Sequence, residues 1–433
     1  MTTILFDVTR LLRRGGRRSP TGIDRVVLAY ARWLVSRGDL TVAPVWTWGD
    51  RVIRISDRRF EALLRLPLSN CADGGEASFH PQWAQLMRSL SPAGANEPGL
   101  RPADKTSGVG GRIVARVGMG LRYFNSLGGM RLPPGAIYIN VGHSGLDRPE
   151  LLARLRAEGL RSIVLLHDLI PIIYPEFCGP GAAARHHRRL DASLMYADGI
   201  LTNSATTAQD VRDYAAQHGL SSPSLFVAPL GLEPAFLGPA AEPINASRYF
   251  VCVGTIEPRK NLVMLLKIWR RLADLHGAAT PRLVLVGRRG WENETVLDHL
   301  QRSPPVRQYV HEVSDLSDEE LARLLRGSCA LLAPSAAEGY DLPAVEALSM
   351  GVRVIASDIP VHRELAHGAT LLDPIDGSAW LREIQAHAAG PRRSPSPPFQ
   401  APTWEEHFQM VEQAIAATAA APSMAAGRPR AAG

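Results

Sequence analysis

At 433 residues, with 45% hydrophobic and 21% charged residues, the chain has the length of two domains and the composition of a globular protein. Its longest apolar stretches, such as residues 162–166 and 283–286, stop far short of the ~18 residues a membrane-spanning helix needs. A net charge of +6 points to nucleic acid, an anionic lipid headgroup or a diphosphate ligand; 6% aromatics and no basic run interleaved with aromatics make no nucleic-acid partner the expectation.

The chain opens on a predicted strand, 4–8, with no basic leader ahead of it, so a cytoplasmic protein without a signal peptide is expected. A basic, Gly-rich loop, 13–20, leads to a helix over Gly22–Ser36 capped by Thr21, with Val26, Val27, Tyr30, Trp33 and Leu34 at helical spacing. Strand, loop and helix in that order begin a doubly wound sheet. Residues 69–130 read as an insertion, its Gly/Pro/Ala/Ser-rich part (69–112) without periodicity and loop-like. Near its end Ile113, Val117, Leu121 and Phe124 share a helical face beside Arg112, Arg116 and Arg122, so 112–127 is expected to touch anionic membrane peripherally.

Regular alternation then resumes. Strands are predicted at 136–140, 162–166, 200–202 and 225–228, and helices at 149–158, 182–197 and 205–218. Residues 231–247, with three prolines, read as a linker. The second half repeats the texture, with strands at 249–253, 282–286, 330–333 and 353–356 and helices at 262–275, 318–326 and 344–349. The division is therefore an α/β domain over 1–238, a second over 239–395, a helix over 404–418 and a disordered tail over 419–433. Four cysteines lie far apart without a C-x-x-C pair, and Cys252 and Cys329 read as reduced core residues.

Two motifs carry chemistry. Glu338-Gly339-Tyr340-Asp341-Leu342-Pro343 opens a helix that holds Glu346 in its first turn. The turn leaves backbone N–H groups to face an anion, the helix dipole adds to them, and a carboxylate there can accept from two ribose hydroxyls. In the second motif an apolar strand ends at Gly254, and Thr255-Ile-Glu-Pro-Arg259-Lys260 brings two cations to the strand's carboxyl end. There Arg can grip a diphosphate bidentately and Lys adds a point charge. His167 and Asp168 follow another apolar strand.

From about 249 to 367 the chain resembles the nucleotide-binding domain of the family 4 retaining glycosyltransferases, on VGTIEPRKNL, VSDLSDEELARLL and AAEGYDLPAVEALSMGVRVIASDIPVHRELA. The resemblance implies the GT-B fold, with two Rossmann-like doubly wound parallel-sheet domains facing across a cleft. It implies that Glu338 faces the transferred sugar, Glu346 binds the ribose, and Arg259 and Lys260 neutralise the pyrophosphate. More loosely, Thr21-Gly22-Ile23 resembles the family's glycine loop, His167-Asp168-Leu-Ile-Pro171 its sugar-lining segment, and Asn203-Ser204 a turn before a helix.

The catalytic residues expected on this basis are His167, Glu338, Arg259 and Lys260. The donor-binding residues are Gly22, Thr255, Gly339, Tyr340, Asp341, Leu342 and Glu346. Two departures stand out. Thr255 replaces a usual Arg, so Arg259 is expected to take its load; Asp341 replaces a usual Gly, so its carboxylate must turn away, or meet a hydroxyl or an Arg. No D-x-D triplet occurs, so neither a metal nor any cofactor is expected.

T-G-I-D-R, H-D-L-I-P and T-I-E-P-R-K-N most resemble bacterial O-antigen and exopolysaccharide enzymes, many of them mannosyltransferases. The implied donor is GDP-mannose, with a UDP-hexose or dTDP-rhamnose as alternatives. The implied acceptor is a saccharide on a polyprenyl diphosphate, met at the inner face of the plasma membrane. A nucleotide-sugar epimerase and a non-catalytic scaffold share the architecture and are the rival readings.

Overall fold

A computed structural model describes residues 2–14, 22–64, 81–91, 97–102, 133–237, 246–390 and 399–421. The Thr21 cap, the segment 112–127 and most of the 419–433 tail lie outside the described residues. Among the described residues thirteen strands form two sheets. The first contains β1 (Thr2–Asp7), β2 (Leu40–Trp48), β3 (Arg51–Arg54), β4 (Ile137–Asn140), β5 (Arg161–Leu166), β6 (Gly199–Thr202) and β7 (Ser224–Val227). Its order is β3-β2-β1-β4-β5-β6-β7, parallel throughout except for the antiparallel pair β2–β3. The second contains β8 (Tyr249–Val253), β9 (Arg282–Val286), β10 (Val310–Val313), β11 (Leu331–Ala333), β12 (Val354–Ser357) and β13 (Thr370–Leu372), all parallel, in the order β10-β9-β8-β11-β12-β13.

In each sheet the order reverses beside the first strand, between β1 and β4 and between β8 and β11. A doubly wound sheet opens its ligand crevice at that reversal, beyond the carboxyl ends of the strands. The central strands are apolar almost end to end because helices cover both faces. Helix Gly22–Ser36 buries Val26, Val27, Leu28, Tyr30 and Leu34 against β1 and β4, each side chain stabilising by roughly 1.5–3 kcal/mol.

Four strands escape the sequence pattern. β2 carries Pro44, and β3 and β13 are short and half-buried. β10 is Val-His-Glu-Val, and both polar side chains are buried in the finished fold. Their partners come from afar: Glu312 takes Arg289 at 2.7 Å, and His311 Nδ1 accepts from the Leu100 amide at 3.1 Å. Long-range pairing of this kind leaves no local periodicity.

The insertion is not all loop. Helix Pro81–Leu90 places Trp83, Leu86 and Leu90 in the core of the second domain, against Phe236, Tyr249, Val251 and Leu324. Residues 99–101 then run along edge strand β10. The Glu312 amide donates to Leu100 O at 2.9 Å, and the Arg101 guanidinium donates to Val310 O at 2.7 Å. This covers an edge that would otherwise expose unpaired backbone groups. A Cβ at Gly99 would lie 1.8 Å from Val310 O, so only glycine fits.

The last helix, Trp404–Ala420, crosses back to the first domain, where Phe408, Val411, Ala414 and Ile415 join the core of Ile4, Phe6 and Tyr30. Cys252 and Cys329 are free and buried. No helix among the described residues is long and apolar enough to cross a membrane.

Candidate active site

The second domain supplies a dense ionic wall. Strand β8 ends at Gly254, whose φ is 145°, and the short turn Pro258–Lys260 folds Lys260 back over it. A Cβ at Gly254 would lie 2.5 Å from Lys260 Cε, so glycine makes room for this side chain. Buried Lys260 places Nζ 2.7 Å from Glu338 Oε1 and 3.7 Å from Asp341 Oδ1. Arg259 reaches Glu338 Oε2 at 2.5 Å and Glu257 Oε1 at 2.7 Å, and donates to Ala337 O at 2.8 Å. Burial alone would raise the Glu338 carboxyl, but Arg259 and Lys260 hold it well below the usual carboxylate range. Burial likewise opposes the charge on Lys260, and Glu338 and Asp341 reverse that, raising it.

Asp341 sits at the start of helix Leu342–Ser349 with φ 63°, a left-handed conformation that favours glycine. Its carboxylate turns into the domain and accepts from His362 Nε2 at 2.9 Å. His362 Nδ1 faces Ser357 O at 2.8 Å. Both ring nitrogens thus meet acceptors, which favours the protonated imidazole; burial opposes that charge, and Asp341, Ser357 O and Glu338 together raise its pKa above the ordinary value. Arg259, Lys260 and His362 thus face Glu257, Glu338 and Asp341, so that each basic group meets a carboxylate. The cations expected to neutralise a diphosphate are held by carboxylates here.

Glu346 is buried one helical turn further on. Arg25, from the first domain, contacts it at 2.8 Å and also binds Asp318. Burial outweighs that guanidinium and pushes the Glu346 carboxyl up to about 7.

The first domain supplies a quieter wall. His167 follows β5, and its Nε2 lies 2.8 Å from Val141 O, so Nε2 carries the proton and Nδ1 the lone pair. Burial pushes its pKa down to about 4, leaving it neutral at pH 7. Burial also raises the neighbouring Asp168, against the pull of Arg259. The two walls meet at Gly339. A Cβ there would lie 2.3 Å from His167 O and 2.8 Å from Asp168 Cβ. Ser204 Oγ donates to Gly339 O at 3.2 Å, and the Tyr340 hydroxyl donates to Leu230 O at 2.8 Å. Glu364 accepts from the Ala205 and Thr206 amides at 2.6 and 2.8 Å.

Between the walls lies a cavity of about 450 Å³, within the range of small-molecule sites. His167, Glu338, Arg259, Lys260, Gly22, Thr255, Gly339, Tyr340, Asp341, Leu342 and Glu346 all line it. Two of them hold the walls more than they face the space: Tyr340 is buried in the interdomain core, and Asp341 turns to His362.

Sequence reading missed Arg25, Asp318 and Arg288, which also line the cavity. Arg288 had a signal, since Gly287-Arg288-Arg289 follows an apolar strand as Arg259 and Lys260 do. It stands on the Thr255 side, its Nη2 2.5 Å from Asp315. Among the described residues no three His, Cys, Asp or Glu side chains gather in a metal-holding group.

Residues 247–388 match the family described as Glycosyl transferases group 1. This segment is a glycosyl transferase group 1 domain. The Escherichia coli serotype-specific mannosyltransferase WbdA is 30% identical over 241 residues, covering 50% of this chain and 29% of that protein. The Escherichia coli O-antigen chain mannosyltransferase B is 28% identical over 237 residues, covering 52% of this chain and 60% of that protein. The chain thus matches less than two thirds of either relative's length. Sucrose-phosphate synthase from Thermosynechococcus elongatus superposes with a TM-score of 0.61 at 18% identity, over 97% of this chain and 100% of that one. Anabaena HepE, solved in complex with UDP-glucose, gives 0.61 at 13% identity, over 96% and 100%. The fold is GT-B.

Proposed function

We propose that the chain transfers a hexose from a nucleotide-sugar to a growing saccharide, with retention at the anomeric carbon and without a metal ion. One observation carries this reading: the Arg259–Lys260–Glu338 cluster from one domain faces neutral His167 from the other across a single cavity. When a nucleoside diphosphate leaves an anomeric carbon, negative charge gathers on the phosphate and positive charge on the sugar. Preorganised cations stabilise that separation, so Arg259, Lys260 and the amides near Gly22 act on the leaving group.

The balanced cluster suggests how Glu338 takes part. An arriving diphosphate replaces Glu338 as counter-ion to the cations and frees its carboxylate to accept from sugar hydroxyls. His167, neutral and with Nδ1 as an acceptor, orients the same sugar. Glu346, paired with Arg25, accepts from ribose hydroxyls. Contact between the walls at Gly339 limits water at the reacting centre.

The mannosyltransferase relatives favour GDP-mannose as donor; the HepE complex supports a UDP-hexose as alternative, and dTDP-rhamnose is the third. Relatives named for O-antigen support a bacterial surface polysaccharide as acceptor; that it is carried on a polyprenyl diphosphate and met at the inner face of the plasma membrane is part of the proposal. A donor-hydrolysis screen over GDP-mannose, UDP-glucose and dTDP-rhamnose, with and without EDTA, tests the reading. Turnover of one donor, undiminished by EDTA, is expected. Turnover of none, or a strict need for added Mg²⁺ or Mn²⁺, contradicts it.

A further inference from the structure

A second cavity, of about 420 Å³, opens beside the first in the same domain as His167 and shares Arg10, Ile23 and Asp168 with it. Four arginines line it: Arg10, Arg13, Arg185 and Arg189. Arg10 is committed to Asp24 at 2.7 Å. The other three make no ion pair within 4 Å among the described residues, although Asp147 and Asp168 line the same space. Among the described residues the Arg189 guanidinium has one hydrogen bond, to His186 Nδ1 at 2.8 Å, and its Nε is buried without a partner. That imidazole brings no countercharge. Its Nε2 lies 3.0 Å from Asp168 O, so it is protonated there and neutral, with burial pushing its pKa down to about 4.

Solvated surface arginines explain Arg13 and Arg185, which are exposed. They do not explain Arg189, whose charge is disfavoured by burial and only partly compensated by Asp147 and Asp168. A guanidinium held largely out of solvent without a carboxylate partner costs free energy, which an arriving anion offsets. The guanidiniums come from two separate helices, Thr9–Arg14 and Ala182–Tyr196, and converge on one space. Such an arrangement matches an anion that presents several oxygens in different directions, which a tetrahedral phosphoryl group does.

We propose that this cavity, through Arg13, Arg185 and Arg189, binds a phosphoryl group of the acceptor. The assignment of the ligand to the acceptor rests on the glycosyltransferase reading, in which the donor fills the first cavity; the anion site itself does not. The charge would fix the acceptor beside Asp168 and His167, at the sugar end of the donor, and select acceptors that carry phosphate.

The test is calorimetric titration of inorganic phosphate, and separately of pyrophosphate, into full-length protein already saturated with GDP or UDP, so that the donor cavity is closed to the probe. Wild type is expected to bind at least one of the two anions. Arg185→Ala and Arg13→Ala remove exposed side chains, so both should fold, and each is expected to weaken that binding about tenfold or more. Affinity for the nucleoside diphosphate should be unchanged in both variants. Stronger binding of phosphate points to a monoester on the acceptor, and stronger binding of pyrophosphate to a diphosphate. No anion binding by wild type, or equal affinity in the wild type and both variants, overturns the proposal. So does anion binding that is lost in Lys260→Ala but kept in Arg185→Ala, because it would then belong to the first cavity. If no nucleoside diphosphate binds, the glycosyltransferase reading fails, while the anion titration with the Arg185 and Arg13 variants still decides the anion site.

Discussion

The two walls of the cleft are built on different electrostatic plans. The second-domain wall concentrates Arg259, Lys260, Glu338, Asp341 and His362 in buried contact, with each charge answered by an opposite one. The first-domain wall presents His167 and His186 in neutral form, and its guanidiniums Arg13, Arg185 and Arg189 have no ion pair among the described residues. A balanced cluster is stable when empty and exchanges one counter-ion for another when a ligand comes. An unbalanced one waits for charge from outside. This contrast suits a donor that is held and ionised on one side and an acceptor that is selected on the other.

The comparison breaks hardest at Lys260. Lys260→Ala leaves Glu338 and Asp341 buried with one cation fewer, which should destabilise the chain by about 3–5 kcal/mol. Under the proposed function it also removes a contact to the leaving group, which should lower turnover by about 10²–10³. Thermal unfolding and single-turnover kinetics read the two effects separately. Near-normal turnover by folded mutant would remove Lys260 from the chemistry.

Gly339 tests whether the walls act together. Gly339→Ala places a methyl group 2.3 Å from His167 O and forces the seam apart. Overpacking of this kind costs about 1–3 kcal/mol, and a displacement near 1 Å costs about 10²-fold in rate. If activity and melting temperature both hold, the seam is looser than described and the walls work independently.

A smaller effect sharpens the role of Glu346. Its folded carboxyl titrates near 7, above its ordinary value of 4.5. The neutral form is therefore favoured in the fold. The stabilisation is fully present below pH 4.5 and is lost as pH rises through about 7, with a slope of at most about 1.4 kcal/mol per pH unit. Glu346→Gln fixes the neutral form and should flatten wild-type stability between pH 5 and 7. Parallel pH profiles for the two proteins would show that Arg25, and not burial, governs this carboxyl.

The same contrast explains what was legible in the sequence. Residues 254–260 and 338–346 are short runs whose order, spacing and flanking strand report their place directly, and all of the named site residues within them line the cavity. The first-domain wall is assembled from Arg10, Arg13, His143, Asp168, Arg185 and Arg189, spread over 180 positions and lacking a common spacing. Arg25 was in plain view within T-G-I-D-R, but its partners Glu346 and Asp318 lie some 300 residues away and only the fold brings them together. Alternation of strands and helices announced two parallel sheets. It did not announce β10, whose buried His311 and Glu312 rely on Leu100 and Arg289. Nor did it show that helix Pro81–Leu90 and the final helix each pack on the other half of the molecule, because amphipathic faces do not name their partners.

The central claim is that the Arg259–Lys260 cluster holds a diphosphate by taking over the role of Glu338. Calorimetric titration of GDP and UDP into wild type, Lys260→Met and Glu338→Gln tests it most directly. The account predicts binding by wild type, loss of at least about tenfold in affinity for Lys260→Met, and tighter binding for Glu338→Gln, whose neutral amide competes less well for the cations. Equal affinity in all three proteins, or weaker binding in Glu338→Gln, would contradict it.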